Sequence, residues 1–128
     1  MVRRLTAEET ALFTAYLIHT YEEEKGKKTS RCRLSRRTVR LLSLRTNLRD
    51  AFIKDWIDAL ASDWGWLAFE FGEEFALIRS KSVEDWTRLS SKRVSDTRKS
   101  LAQGNLMTLD MMFRVLSQEV PDDEDEAE

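Results

Sequence analysis

Cysteine, proline and histidine occur once each in 128 residues, and glycine only four times. A lone Cys32 excludes an internal disulfide. A lone His19, with no cysteine at a matching spacing, leaves zinc without a ligand set. No apolar run approaches the ~18 residues of a membrane span. Met1-Val2-Arg3-Arg4-Leu5 lacks the apolar core and cleavage site of a secretory leader, so a cytoplasmic location is expected. The sequence has no Gly-x-x-x-x-Gly-Lys loop and no Gly-x-Ser-x-Gly elbow, and its carboxylates form no recognisable catalytic pair. No enzyme activity, cofactor, metal or small-molecule ligand is therefore expected.

The most informative absence is of one sign of charge. From Lys25 to Arg49 there is no aspartate or glutamate, while ten basic residues crowd the same stretch. Segregation continues along the chain: residues 1–49 carry a net +7, residues 50–78 a net −6, residues 79–99 a net +4 and residues 100–128 a net −7, within a whole-chain charge of −2. A one-sided basic patch is the electrostatic footprint of a protein resting on phosphates. With 34% charged residues, the chain still repeats its apolar residues at helical spacing, as a folded domain does.

Thr6-Ala7-Glu8-Glu9 has the spacing of a capping box, and it predicts a helix ending near Gly26 with Leu12, Phe13, Tyr16, Leu17 and Tyr21 facing inward. Ser35 caps a short second helix through Ser43, with Val39 and Leu42 inward and Arg36, Arg37 and Arg40 outward. Leu44-Arg45-Thr46-Asn47 has the length of a helix-turn-helix turn. Thr46 or Asn47 then caps a third helix whose inward set is Leu48, Ala51, Phe52, Trp56, Ile57, Leu60 and Trp64, stopped by Gly65. The period changes to two on either side of Gly72-Glu73-Glu74. A three-residue turn there predicts a hairpin opposing Phe71 to Phe75 and Phe69 to Leu77. A capped helix is expected from Ser82 with Val83, Trp86 and Leu89 inward, another over 95–103, and a last one bearing Leu106, Leu109, Phe113, Leu116 and Val120. Pro121 ends it, before a tail of six carboxylates in residues 122–128 that is too charged to bury itself. Residues 1–120 read as one domain and residues 121–128 as a disordered acidic tail.

Three helices followed by a hairpin, with a tight turn between the second and third, resemble the winged helix-turn-helix superfamily over roughly residues 6–79. The fold expected is mainly α with one β-hairpin, extended by C-terminal helices. The resemblance implies a sequence-specific duplex DNA-binding protein, a small transcriptional or replication regulator of bacterial or mobile-element type. Its DNA-binding residues would be Arg31, Arg33, Arg36, Arg37, Arg40, Arg45, Asn47 and Arg49. In that motif the start of the second helix of the pair reads base edges, and Arg and Asn fork onto guanine and adenine respectively. Pairing of two copies through the terminal helices would supply two half-sites.

The pattern departs from the superfamily in two places. The third helix also exposes Asp50, Asp55 and Asp58 against Lys54 alone, and the hairpin tip is acidic. The alternative is a winged-helix interaction module, a subunit or inhibitor that meets a basic partner through these acidic surfaces. Arg79, Lys81, Arg88, Lys92, Arg93, Arg98 and Lys99 form a second basic group, which either extends the same surface or simply lines helix exteriors. Arg31 and Arg33 beside Cys32 would favour a thiolate and a redox role, against the simpler reading of an ordinary loop cysteine. Of the four tryptophans, Trp56, Trp64 and Trp86 read as core residues, and Trp66 as the one most open to solvent.

Overall fold

A computed structural model of the chain describes residues 3–118. It divides into two compact units between Trp86 and Thr87. The first unit contains α1 (Ala7–Lys25), β1 (Arg31–Ser35), α2 (Arg36–Ser43), α3 (Asp50–Trp64), β2 (Trp66–Phe71), β3 (Glu74–Arg79) and the single turn α4 (Ser80–Val83). The second contains a 3-10 turn at Ser91–Val94, α5 (Ser95–Ala102) and α6 (Met107–Ser117). No helix among the described residues is long and apolar enough to cross a membrane. The fold is α+β, and its order of helix, strand, helix, helix and hairpin is compatible with a winged helix.

The sheet has one strand more than the hairpin expected from the sequence. β1 pairs antiparallel with β3, which pairs antiparallel with β2, in the order β1-β3-β2. Arg31-Cys32-Arg33-Leu34 alternates charged and apolar residues, a strand signal hidden within the basic run. Its Cys32 and Leu34 stand opposite Leu77 and Phe75 on the core face.

Local chemistry sets the helix ends. The Thr6 hydroxyl accepts from Glu9 N–H at 3.1 Å, and the Glu9 carboxylate accepts from Thr6 N–H at 3.0 Å, the reciprocal pair that the spacing predicts. Ser35 caps α2 by accepting from Thr38 N–H at 3.0 Å. Gly65, at φ 72°, turns the chain out of α3 into β2.

The core is built from Trp56 and Leu60 of α3, Trp66, Phe75 and Leu77 of the sheet, and Val39 of α2, each nearly or wholly inaccessible. Trp56 meets Phe75 edge-on at 5.1 Å between centroids. These large side chains fill the interior, so α1 approaches with its small face. It buries Ala7, Thr10, Ala11, Thr14 and Ile18. The expected inward stripe is reversed: Leu12, Phe13, Tyr16 and Tyr21 are exposed, and only Leu17 packs on the core. The Thr14 hydroxyl donates to the Thr10 carbonyl at 2.7 Å and accepts from Trp56 Nε1–H at 3.1 Å, which satisfies the buried indole.

Three further expectations are corrected here. The hairpin turn has two residues, Gly72 and Glu73, so Phe71 faces Glu74 and Phe69 faces Ala76. A shift of one residue moves a strand's side chains to the other face. Phe69 and Phe71 therefore lie on the outer face, while Phe75 and Leu77 lie in the core. The tryptophans also exchange places: Trp66 is buried, while Trp64 and Trp86 are exposed. In the expected helix from Ser82, the chain is helical only over Ser80–Val83, and Trp86 and Leu89 stay exposed.

In the second unit α5 and α6 match the expected helices. The Ser100 and Thr108 hydroxyls meet at 3.0 Å, and Gly104, at φ 90°, separates the helices. Leu106, Leu109, Phe113 and Leu116 are exposed. Val120, Pro121 and the acidic tail lie outside the described residues.

Candidate nucleic-acid interface

The eight basic and polar residues singled out in the sequence divide into three groups. Two are engaged in holding the fold. Arg45 donates through Nε and Nη2 to the Leu5 carbonyl at 3.1 and 2.7 Å, and its guanidinium lies 4.2 Å from the centre of the Phe52 ring. Leu5 N–H in turn donates to the Ser43 carbonyl, so Arg45 clamps the N-terminal segment against the end of α2. Arg36 pairs with Glu70 at 3.1 Å and stands over Phe75. Either arginine would give up these contacts to meet a phosphate.

Arg31 and Arg33 form the second group. They project from the outer face of β1, where Arg33 reaches Glu74 at 3.4 Å. Alternation along the strand sends Cys32 the other way, into the core. Burial pushes its thiol up from the ordinary value, with Arg79 opposing this and Glu22 adding to it. Cys32 and its two arginine neighbours in sequence are thus on opposite faces of the strand, and the simpler reading of an ordinary cysteine is the one the geometry favours, in a strand rather than a loop.

The third group comprises Arg37, Arg40, Asn47 and Arg49. Arg37 is exposed on the side of α2 away from Val39 and Leu42, and Arg40 lies half-buried at its flank. Asn47 is exposed in the connection that follows, and Arg49 occupies the N-cap position of α3, also exposed. None of Arg37, Arg40 and Arg49 has a carboxylate partner among the described residues. The connection spans residues 44–49 rather than four residues, and neither Thr46 nor Asn47 caps α3. Leu48 packs on the core and Arg45 is clamped, and together they hold the connection open. Leu44, at φ 58°, ends α2 in the left-handed region, with its N–H directed at the Arg40 and Leu41 carbonyls.

Beyond Arg49 the surface changes sign. α3 exposes Asp50, Lys54, Asp55, Asp58 and Asp63, and its one lysine is held by Asp58 at 3.1 Å. Glu8 of α1 joins Asp55, Asp58 and Asp63 around a shallow hollow. Of the second basic group, Arg79 is half-buried and engaged in the fold. It donates to Glu22 at 2.8 Å and to the Thr29 carbonyl at 3.0 Å, and lies over Trp66 at 4.3 Å.

No protein-family model, curated protein or solved structure matches this chain, so the functional reading rests on its own geometry.

Proposed function

We propose that the first unit is a winged helix that binds duplex DNA, and that it does so chiefly along the phosphate backbone. One observation carries this reading: Arg37, Arg40 and Arg49, on α2 and the start of α3, have no carboxylate partner among the described residues, while nearby Arg36 and Arg45 are engaged in the fold. Cations on a helix pair and its connection suit adjacent phosphates. The acidic flank of α3 opposes deep insertion into the major groove, because four aspartates would approach a polyanion. Base reading then falls to Asn47 and Arg49 at the start of the helix. The small-regulator role expected from the sequence rests on this binding.

The test is duplex affinity as a function of salt. Replacing Arg37, Arg40 and Arg49 with Ala removes three phosphate partners and reduces the slope of log K against log salt by about 2–3 units. An unchanged slope overturns the reading.

A second reading has its own support. The acidic flank of α3 and the apolar outer side of α1 are both exposed, as in a module that docks on another protein or pairs with its own copy. A protein that ignores duplex DNA at low salt but loses self-association on substitution of Leu12 and Tyr16 would follow this second course.

A further inference from the structure

We propose that the outer face of the sheet is a platform for single-stranded nucleic acid, separate from the helical surface assigned to duplex DNA and not dependent on it.

The face is built by the strand register. Two cross-strand rows run over it, Arg33–Ala76–Phe69 and Arg31–Ile78–Leu67, with Phe71 further along β2. The cations thus sit along β1 and the aromatics along β2, two strand spacings or about 10 Å apart. Ala76 is the small residue between them, and the floor it leaves opens into a cavity of about 270 Å³ lined by Arg31, Arg33, Phe69, Ala76, Ile78 and Trp86. Phe69, Phe71 and Trp86 are 54%, 58% and 61% exposed. Phe69 and Phe71 are alternate residues on one face, about 7 Å apart, so each can carry a separate base.

This division matches the two halves of a nucleotide. Bases without a complementary strand stack on aromatic rings, while their phosphates follow a line of cations. On β1 that line is Arg31 and Arg33: Arg33 also reaches Glu74 at 3.4 Å, and Arg31 has no carboxylate partner among the described residues. A duplex presents no free base faces and cannot use the rings. A protein partner would use the apolar residues, but it has no need of a cationic line on the opposite side of a shallow trough. Glu74, opposite both Ser35 and Phe71, bounds the phosphate path at the hairpin end, so the phosphates keep to Arg31 and Arg33 while Phe71 meets only an uncharged base.

The experiment measures the anisotropy of a labelled oligothymidylate of ~12 nucleotides, a length within single-strand site sizes, and of a labelled duplex, on the full chain. Wild type binds the oligothymidylate saturably at low salt. Phe69→Ala with Phe71→Ala weakens that binding by roughly tenfold per ring and leaves duplex affinity unchanged. Arg37→Ala with Arg40→Ala does the converse, so failure here and failure of the duplex reading are distinguishable. Phe69→Leu guards against loss of fold: it keeps the apolar bulk and the thermal transition, yet loses oligothymidylate affinity because leucine offers no ring to stack on. No saturable binding by wild type overturns the proposal. So does wild-type affinity in Phe69→Leu, or a light-scattering mass that falls from dimer to monomer in the double Phe variant while oligothymidylate binding stays constant, which would assign the face to a second copy of the chain.

Discussion

Arg79 and Glu22 are 57 residues apart in the chain and meet at 2.8 Å. The same Glu22 oxygen accepts from Thr29 N–H at 2.8 Å, and Arg79 also donates to the Thr29 carbonyl. One buried carboxylate therefore joins the end of α1, the loop into β1 and the end of the hairpin. The loop carries Lys27 and Lys28 ahead of Arg31, so this network fixes where the basic run begins its strand.

The network makes stability depend on pH. The Thr29 N–H bond, and then Arg79 and Lys28, hold the Glu22 carboxyl below its ordinary range against the opposing effect of burial. A group whose folded pKa is lowered adds stability that is fully present above its unfolded value of about 4.3 and is lost as pH falls through the folded value. The melting-temperature difference between wild type and Glu22→Gln should be largest near neutral pH and shrink below about pH 4. Arg79→Met, which leaves the carboxylate without its main cation, should cost about 2–4 kcal/mol at pH 7 in urea denaturation.

Thr14 and Trp56 form a second long-range link, with the hydroxyl meeting the indole N–H inside the α1–α3 contact. Thr14→Val keeps the shape and removes the acceptor, stranding a buried donor. A loss of about 1–3 kcal/mol is expected in chemical denaturation. Thr14→Ser, which keeps the oxygen, should recover most of it.

Arg45 and Arg37 are close in sequence and opposite in consequence. Arg45→Ala removes two bonds to Leu5 and a cation over Phe52, and should destabilise by about 1–3 kcal/mol. Arg37→Ala touches no partner and should leave the melt within about 0.5 kcal/mol of wild type, while lowering duplex affinity. Paired melting and binding curves on the two variants check both statements.

Leu12, Phe13 and Tyr16 give α1 an apolar outer side. Pairing of two copies over this side predicts that Leu12→Glu with Tyr16→Glu yields a folded monomer by light scattering, with the thermal transition retained. A wild type already monomeric at micromolar concentration would leave this surface without a self-association role.

Reading the sequence located the capping box at Thr6, the cap at Ser35, the stop at Gly65 and the hairpin between Trp66 and Ile78. Each is encoded by residues within a few positions of one another. It also located the acid-free run, which is a property of composition. Tertiary structure alone decided the rest. The side of α1 that turns inward depends on how much volume Trp56, Phe75 and Trp66 leave, and no periodicity within α1 reports that volume. One residue of turn length put Phe69 and Phe71 outside, because the side-chain period of a strand is two. Arg36, Arg45 and Arg79 read as surface cations until Glu70, the Leu5 carbonyl and Glu22 came within reach across the fold. Charge belongs to the sequence, but whether a charge is available to a ligand depends on the partner that folding brings to it.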